Sequence, residues 1–108
     1  MTKQERKVLY DRAEKLWGLV AQYDQAIEEM GELIVAINKF KRKCLYGEYS
    51  GNQKIIDNLV EEIADVKMCI EQLEGFFGED KVEAVLDQKM QKFLGQIEEM
   101  SKAKKENN

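Results

Sequence analysis

An all-α, four-helix-bundle-like protomer is what this sequence predicts, and three observations carry the prediction. Apolar residues recur at spacings of three and four through four successive segments, the period of an amphipathic helix. No segment alternates apolar and polar residues as a half-buried strand does. Proline is absent from all 108 residues, while 44% are apolar and 35% charged, which is the balance of a charged helical protein rather than of a disordered chain.

The first helix reads from Lys3 to Trp17, with Gly18 as its stop signal. The second starts at Asp24 or a few positions earlier, or continues unbroken from Trp17. Its apolar stripe is Ala26, Met30, Leu33, Ile37, Phe40 and Cys44, and it ends near Lys43. Tyr46-Gly47-Glu48-Tyr49-Ser50-Gly51-Asn52 is the clear loop signal inside the chain. The third helix carries Ile55, Leu59, Ile63, Val66, Ile70 and Leu73, and Gly75 to Gly78 closes it. The fourth begins near Glu79 and Asp80, where acidic side chains suit the positive end of a helix dipole. Its stripe is Val82, Val85, Lys89, Phe93, Ile97 and Met100. One all-α domain is expected over residues 1–101, with residues 102–108 as a charged, disordered tail.

Composition excludes several classes. Lys and Arg number 17 against 21 Asp and Glu, a net charge of −4, whereas a general nucleic-acid binder of this size draws its affinity from basic surface. Histidine is absent, which removes Ser-His-Asp and Cys-His catalysis, His-ligated zinc and the Glu-x-x-His di-iron site. No purely apolar run approaches the ~20 residues of a membrane span. Met1 to Tyr10 is too charged for a secretory signal, so the expected location is the cytoplasm. Cys44 and Cys69 fall on apolar stripes without a Cys-x-x-Cys spacing and read as buried thiols.

Chemistry must therefore run on carboxylates, lysines or the backbone, and the acidic residues are placed unusually. At about 100° per residue, Glu29 lies only roughly 70° from the apolar centre of the second helix, with Glu32 and then Glu28 further round on the same side. The third helix repeats the order: Glu62 lies about 55° from its apolar centre, and Asp65 and then Glu61 follow. A solvated glutamate belongs on the far face, and taken singly each motif reads as one. Together they put two i, i+3 carboxylate pairs, Glu29/Glu32 and Glu62/Asp65, at the edge of two stripes. If the two helices are antiparallel, the pairs face each other across one groove. Desolvated, mutually repelling carboxylates need cations, and Lys39, Lys41, Arg42 and Lys43 stand mostly two turns or more beyond. A divalent metal with hard oxygen ligands, Mg²⁺ or alternatively Mn²⁺, is the economical partner. Gly31, between Glu29 and Glu32, costs about 1 kcal/mol relative to alanine in a helix interior, so either close helix packing or a ligand is expected to require it.

Glu28-Glu29-Met30-Gly31-Glu32-Leu33 followed by Glu61-Glu62-Ile63-Ala64-Asp65-Val66 resembles the Glu-Glu-x-x-Glu … Glu-x-x-Asp signature of the MazG-like all-α nucleoside triphosphate pyrophosphohydrolases. Trp17-Gly18 and Gln22 are similar to that family's lead-in, so the likeness covers about residues 10–95. The stretch between the motifs is at the long end for the family, and the excess falls in the loop around residues 46–54, where insertion costs little.

The resemblance implies Mg²⁺-dependent hydrolysis of a (deoxy)nucleoside triphosphate between its α and β phosphates, giving monophosphate and pyrophosphate, in a nucleotide house-cleaning role. Carried over, Glu29, Glu32, Glu62 and Asp65 are the metal ligands, with Glu62 or Glu29 as the base toward water; Glu28 matches the signature's first glutamate. Lys89 and Lys92 are candidates to reach the phosphates, against snorkelling from the core edge. Trp17 is the candidate to stack on a base, against burial in the core, and Gln22 to read a base edge. The family's small protomers form dimers or tetramers, and Val8, Leu9, Leu16, Trp17 and Val20 suit a first helix that meets a second subunit. The competing reading is a non-catalytic helical adaptor that binds a partner helix.

Overall fold

The computed structural model describes residues 1–47 and 52–107. Four α-helices account for most of the described residues, and no strand occurs among them: α1 Lys3–Trp17, α2 Leu19–Phe40, α3 Gln53–Phe77 and α4 Glu79–Glu106. The all-α class and the count of four helices are as the sequence predicts. No helix among the described residues is long and apolar enough to cross a membrane.

Each boundary has a local cause. Thr2 caps α1: its hydroxyl accepts from the Glu5 backbone N–H at 3.1 Å, which satisfies an orphan donor, and donates to the Glu5 carboxylate. Gly18 ends α1 with φ 89°, a backbone region that side chains disfavour, and α2 starts at once with Leu19. The second helix thus begins five residues before Asp24 and is not continuous with the first. The α-helical pattern of α2 stops at Phe40, and a π-helical segment, Lys41–Leu45, carries the chain on past the expected end near Lys43. Of the expected loop, Tyr46, Gly47 and Asn52 lie outside any helix, while residues 48–51 lie outside the described residues. Asn52 starts α3, its side-chain oxygen accepting from the Lys54 backbone N–H at 3.1 Å. Gly75 is taken up within α3, and only Gly78, φ 106°, closes it. α4 continues through Glu106, so residues assigned by sequence to a disordered tail are helical. Lys102, Ala103, Lys104 and Lys105 are good helix formers, and lysines suit the negative end of the dipole.

The backbone divides into two compact units, Met1–Leu73 and the residues from Glu74 onward. In the first, α1 joins α3 through Arg6 and Tyr10, which both bond Glu71, and α2 joins α3 through Gln22 and Gln72. Among the described residues the buried ones are Ala26, Ala36, Cys44 and Cys69, with Gln22 beside them, and no large side chain is fully buried. Both cysteines are free and buried, as expected. In the second unit α4 exposes its whole apolar stripe, from 37% for Val82 to 63% for Met100.

Candidate metal centre

α2 and α3 are antiparallel in the first unit, because residues rising along one meet residues falling along the other. Gln22 accepts from the Gln72 side chain at 2.9 Å, and further along α2 Glu29 and Glu32 meet Glu62. One carboxylate oxygen from each of these three glutamates lies within 4.8 Å of the other two. Helical spacing produces this: Glu29 and Glu32 are three residues apart on one face, and Glu62 arrives from the opposite helix.

The cluster is electrostatically uncomfortable. Burial pushes the Glu29 carboxyl up from its ordinary value, and the charges of Glu32, Asp65 and Glu62 push it further. Glu62 is raised likewise, by burial first and then by Glu32, Asp65 and Glu61. Gln25, one turn before Glu29, donates to Glu29 Oε1 at 2.8 Å and so fixes its orientation. The other oxygen, Oε2, is buried without a hydrogen-bond partner, and so is Oε2 of Glu62. Two buried carboxylate oxygens without a partner, in a cluster of three glutamates, favour added positive charge, as a bound cation or as a proton shared with Glu32. Hard oxygen donors in this number fit Mg²⁺ or Mn²⁺. Burial, then the charges of Glu29 and Asp65, push the nearby Cys69 thiol up from its ordinary value.

Of the four residues expected as ligands, the structure brings Glu29, Glu32 and Glu62 into one cluster. Asp65 stands beside it, close enough to raise both Glu29 and Glu62, and lines the adjoining cavity with Glu29. That cavity, about 700 Å³, is walled by Leu9, Tyr10, Trp17, Gln22 and Met68, among others. Trp17 and Gln22 therefore line the same cavity as Glu29 and Asp65. Burial of Trp17 in the core is not what the chain adopts: the residue is 66% exposed at the last position of α1, before Gly18. Glu28 is exposed and lines a different cavity, with Glu32 and Glu62. Lys89 and Lys92 are exposed on α4, in the second unit. Lys89 sits at its helical stripe position without being buried there.

Sequence reasoning missed Gln25, whose i, i+4 spacing to Glu29 was a readable signal. It also missed the group that holds the cavity wall. Arg6 Nε and a second guanidinium nitrogen each donate to Glu71 at 2.9 Å, and Tyr10 donates to the same carboxylate. The Arg6 and Tyr10 bonds hold the Glu71 carboxyl below its usual value, while burial, then the bond to Glu71, push the Tyr10 hydroxyl up to about 12. Comparison with protein-family models, with curated proteins and with solved structures finds no match to this chain.

Proposed function

We propose that this chain is a Mg²⁺-dependent pyrophosphohydrolase that splits a (deoxy)nucleoside triphosphate at the α–β anhydride, releasing monophosphate and pyrophosphate, in a house-cleaning role in the cytoplasm. The observation that carries the reading is the pair of partnerless buried oxygens, Glu29 Oε2 and Glu62 Oε2, in a three-glutamate cluster beside a cavity walled by Tyr10 and Trp17. Glu29, Glu32 and Glu62 would hold Mg²⁺, with Asp65 at the edge of the set and Mn²⁺ an acceptable substitute. When bound, the ion supplies charge neutralisation for the triphosphate.

The chain's own groups do the rest. Trp17 and Tyr10 offer faces for the base, and the Gln22 amide, buried and fixed by Gln72, offers polar contacts to its edge. Gln25 holds Glu29 in place. Water attacks the α-phosphorus, the bond to the α–β bridging oxygen breaks, pyrophosphate departs, and Glu62 takes up the proton of the attacking water. The raised proton affinity of Glu62 suits that role. The deciding experiment is incubation of the purified protein with each common nucleoside triphosphate, with and without Mg²⁺, and identification of the products. Metal-dependent monophosphate plus pyrophosphate is the expected result. Single phosphate would make the chain a phosphohydrolase of a different cleavage and overturn the α–β assignment, and no release from any nucleotide would leave the adaptor reading in its place.

Self-association belongs to the same reading. Leu86, Met90, Phe93, Ile97 and Met100 follow a four-three spacing along α4, the period of a helix seam, and each is between 45% and 63% exposed. Among the described residues no large side chain is fully buried, and a second copy is a partner always present at the chain's own concentration. Light scattering is expected to give a dimer or tetramer, and Phe93→Glu with Ile97→Glu to shift it to monomeric or unfolded chain. A monodisperse, folded wild-type monomer would overturn this.

A further inference from the structure

The cations of this chain are unevenly spread. Five of the 17 Lys and Arg, but one of the 21 Asp and Glu, fall between Lys39 and Lys54, which leaves 12 against 20 elsewhere. The one acid, Glu48, lies outside the described residues. Lys39, Lys41, Arg42, Lys43 and Lys54 are all exposed, and none of them makes an ion pair among the described residues.

The fold gathers these cations at one end of the α2–α3 hairpin. Lys39 and Asn58 line the same depression, so the last turn of α2 lies beside the start of α3. Lys43 is one turn beyond Lys39, and Lys54 one turn before Asn58, which carries both toward the connecting loop. At Gly47 the chain doubles back: a Cβ there would meet the backbone oxygens of Lys43 and Arg42 at 2.8 and 2.9 Å. That close approach keeps Tyr46 among the cations, with the Lys41 ammonium 6.0 Å from the centre of its ring. Tyr46 is nonetheless 77% exposed.

Helix dipoles do not account for the set. The negative end of α2 and its π-helical extension favours Lys39, Arg42 and Lys43. Lys54 stands in the first turn of α3, at the positive end, where a cation is disfavoured, and that turn holds no acidic residue to offset it. Like charges gathered in this way repel one another, and an external anion relieves them. The net charge of −4 is no obstacle to a local contact, because exposed charges act over about 8 Å at physiological ionic strength.

We propose that this end of the hairpin binds single-stranded nucleic acid, with phosphates on Lys39, Arg42, Lys43 and Lys54 and a base stacked on the Tyr46 ring. The inference does not rest on the pyrophosphohydrolase reading. Two features favour a flexible strand over other polyanions. An exposed aromatic ring among cations is a stacking surface for a base, which an acidic peptide lacks. The glutamate cluster begins at Glu32, two turns or about 10 Å from Lys39. A stiff duplex or a flat anionic bilayer would bring its own phosphates toward those carboxylates, whereas a single strand bends away from them.

The test is fluorescence anisotropy of a labelled single-stranded oligonucleotide of about 12 nucleotides, titrated with the full chain at salt between about 50 and 200 mM. Four phosphate contacts, at about −0.7 each, predict a slope of log K against log salt near −3. Arg42→Gln with Lys43→Gln is expected to weaken binding about tenfold or more at the lowest salt and to halve the slope. Tyr46→Ala is expected to weaken it about fivefold or more with the slope unchanged. All three side chains are exposed, and unaltered circular dichroism establishes that the variants fold. A control with Lys102→Gln, Lys104→Gln and Lys105→Gln on α4 is expected to bind nearly as wild type does. Absence of binding at the lowest salt, or a loss in the control equal to that in the double variant, overturns the proposal. So does a duplex of the same length that binds as tightly as the single strand. Binding to phosphatidylserine vesicles or to polyglutamate as tight as to the oligonucleotide, and indifferent to Tyr46→Ala, would overturn it in favour of a bilayer or an acidic peptide.

Discussion

Glu62→Gln is expected to cut pyrophosphate release on the order of 10³-fold, while leaving the metal-free protein as stable as wild type or more so. The two halves of that result come from one cause. Glu62 carries a buried oxygen without a partner, and its carboxyl is raised by burial and by Glu32, Asp65 and Glu61. The amide keeps the shape and removes a charge that the apo fold holds at a cost, so relief of repulsion is the expected effect on stability. Turnover suffers because the Glu62 carboxylate, whose two oxygens would divide the roles, is both the proposed ligand and the proposed proton acceptor. Pyrophosphate release and denaturant unfolding of the same two preparations check the prediction. A large loss of apo stability would instead make Glu62 a partner in a structural ion pair, as Glu71 is with Arg6.

The second large effect is on melting in the presence of metal, and its dependence on pH has a definite sign. A cation that binds only the folded chain stabilises by about 2.7 kcal/mol at a hundredfold over its Kd, which for a domain near this size is a rise on the order of 10 °C. Glu29 and Glu62 have folded values above the ordinary 4.5. The stability that they contribute is fully present below that ordinary value and is lost as pH rises through the raised folded values. Glu71 works the other way: its lowered value contributes stability above the ordinary range, which is lost as pH falls through the folded value. Metal-free wild type should therefore match Glu62→Gln in acid and fall below it as pH rises past 4.5, and Mg²⁺ should remove that deficit at neutral pH. Melts of both proteins across this range, with and without Mg²⁺, check it. A deficit that opens on acidification, or a wild type indifferent to Mg²⁺, would contradict the proposed centre.

The parts of this site that were legible in the sequence are those set by helical period. Glu29, Glu32 and Glu62 could be placed beside the apolar stripes by counting residues, and their meeting needed only that α2 and α3 be antiparallel. The start of α2 was blurred because a single glycine, Gly18, does the work of a linker, and Leu19 to Tyr23 carry no cap to announce it. The π-helical segment at Lys41–Leu45 has no composition signal. Arg6, Tyr10 and Glu71 were invisible for a different reason: they are separated by more than 60 residues, and which turn of α1 meets which turn of α3 is settled by packing, not by spacing. The alternative of Trp17 in the core could not be settled from spacing, because stripe position says which way a ring points and not whether anything stands opposite it.

Gly18 and the Arg6–Glu71 pair together define a lever. With one residue between α1 and α2, the direction of α1 hangs on two backbone dihedrals, and the helix is an arm of roughly 22 Å. Arg6 is twelve residues from that pivot, so a swing of 10° would sweep it through about 3 Å, as far as the 2.9 Å ion pair spans. The pivot sets the angle and the ion pair latches the free end, which means that the width of the aromatic cavity is fixed at two points that lie outside the acidic cluster itself. In that arrangement a residue far from the acidic cluster in sequence, Gly18, and a pair at the other end of α1, Arg6 with Glu71, set where Leu9, Tyr10 and Ala13 stand along the cavity wall.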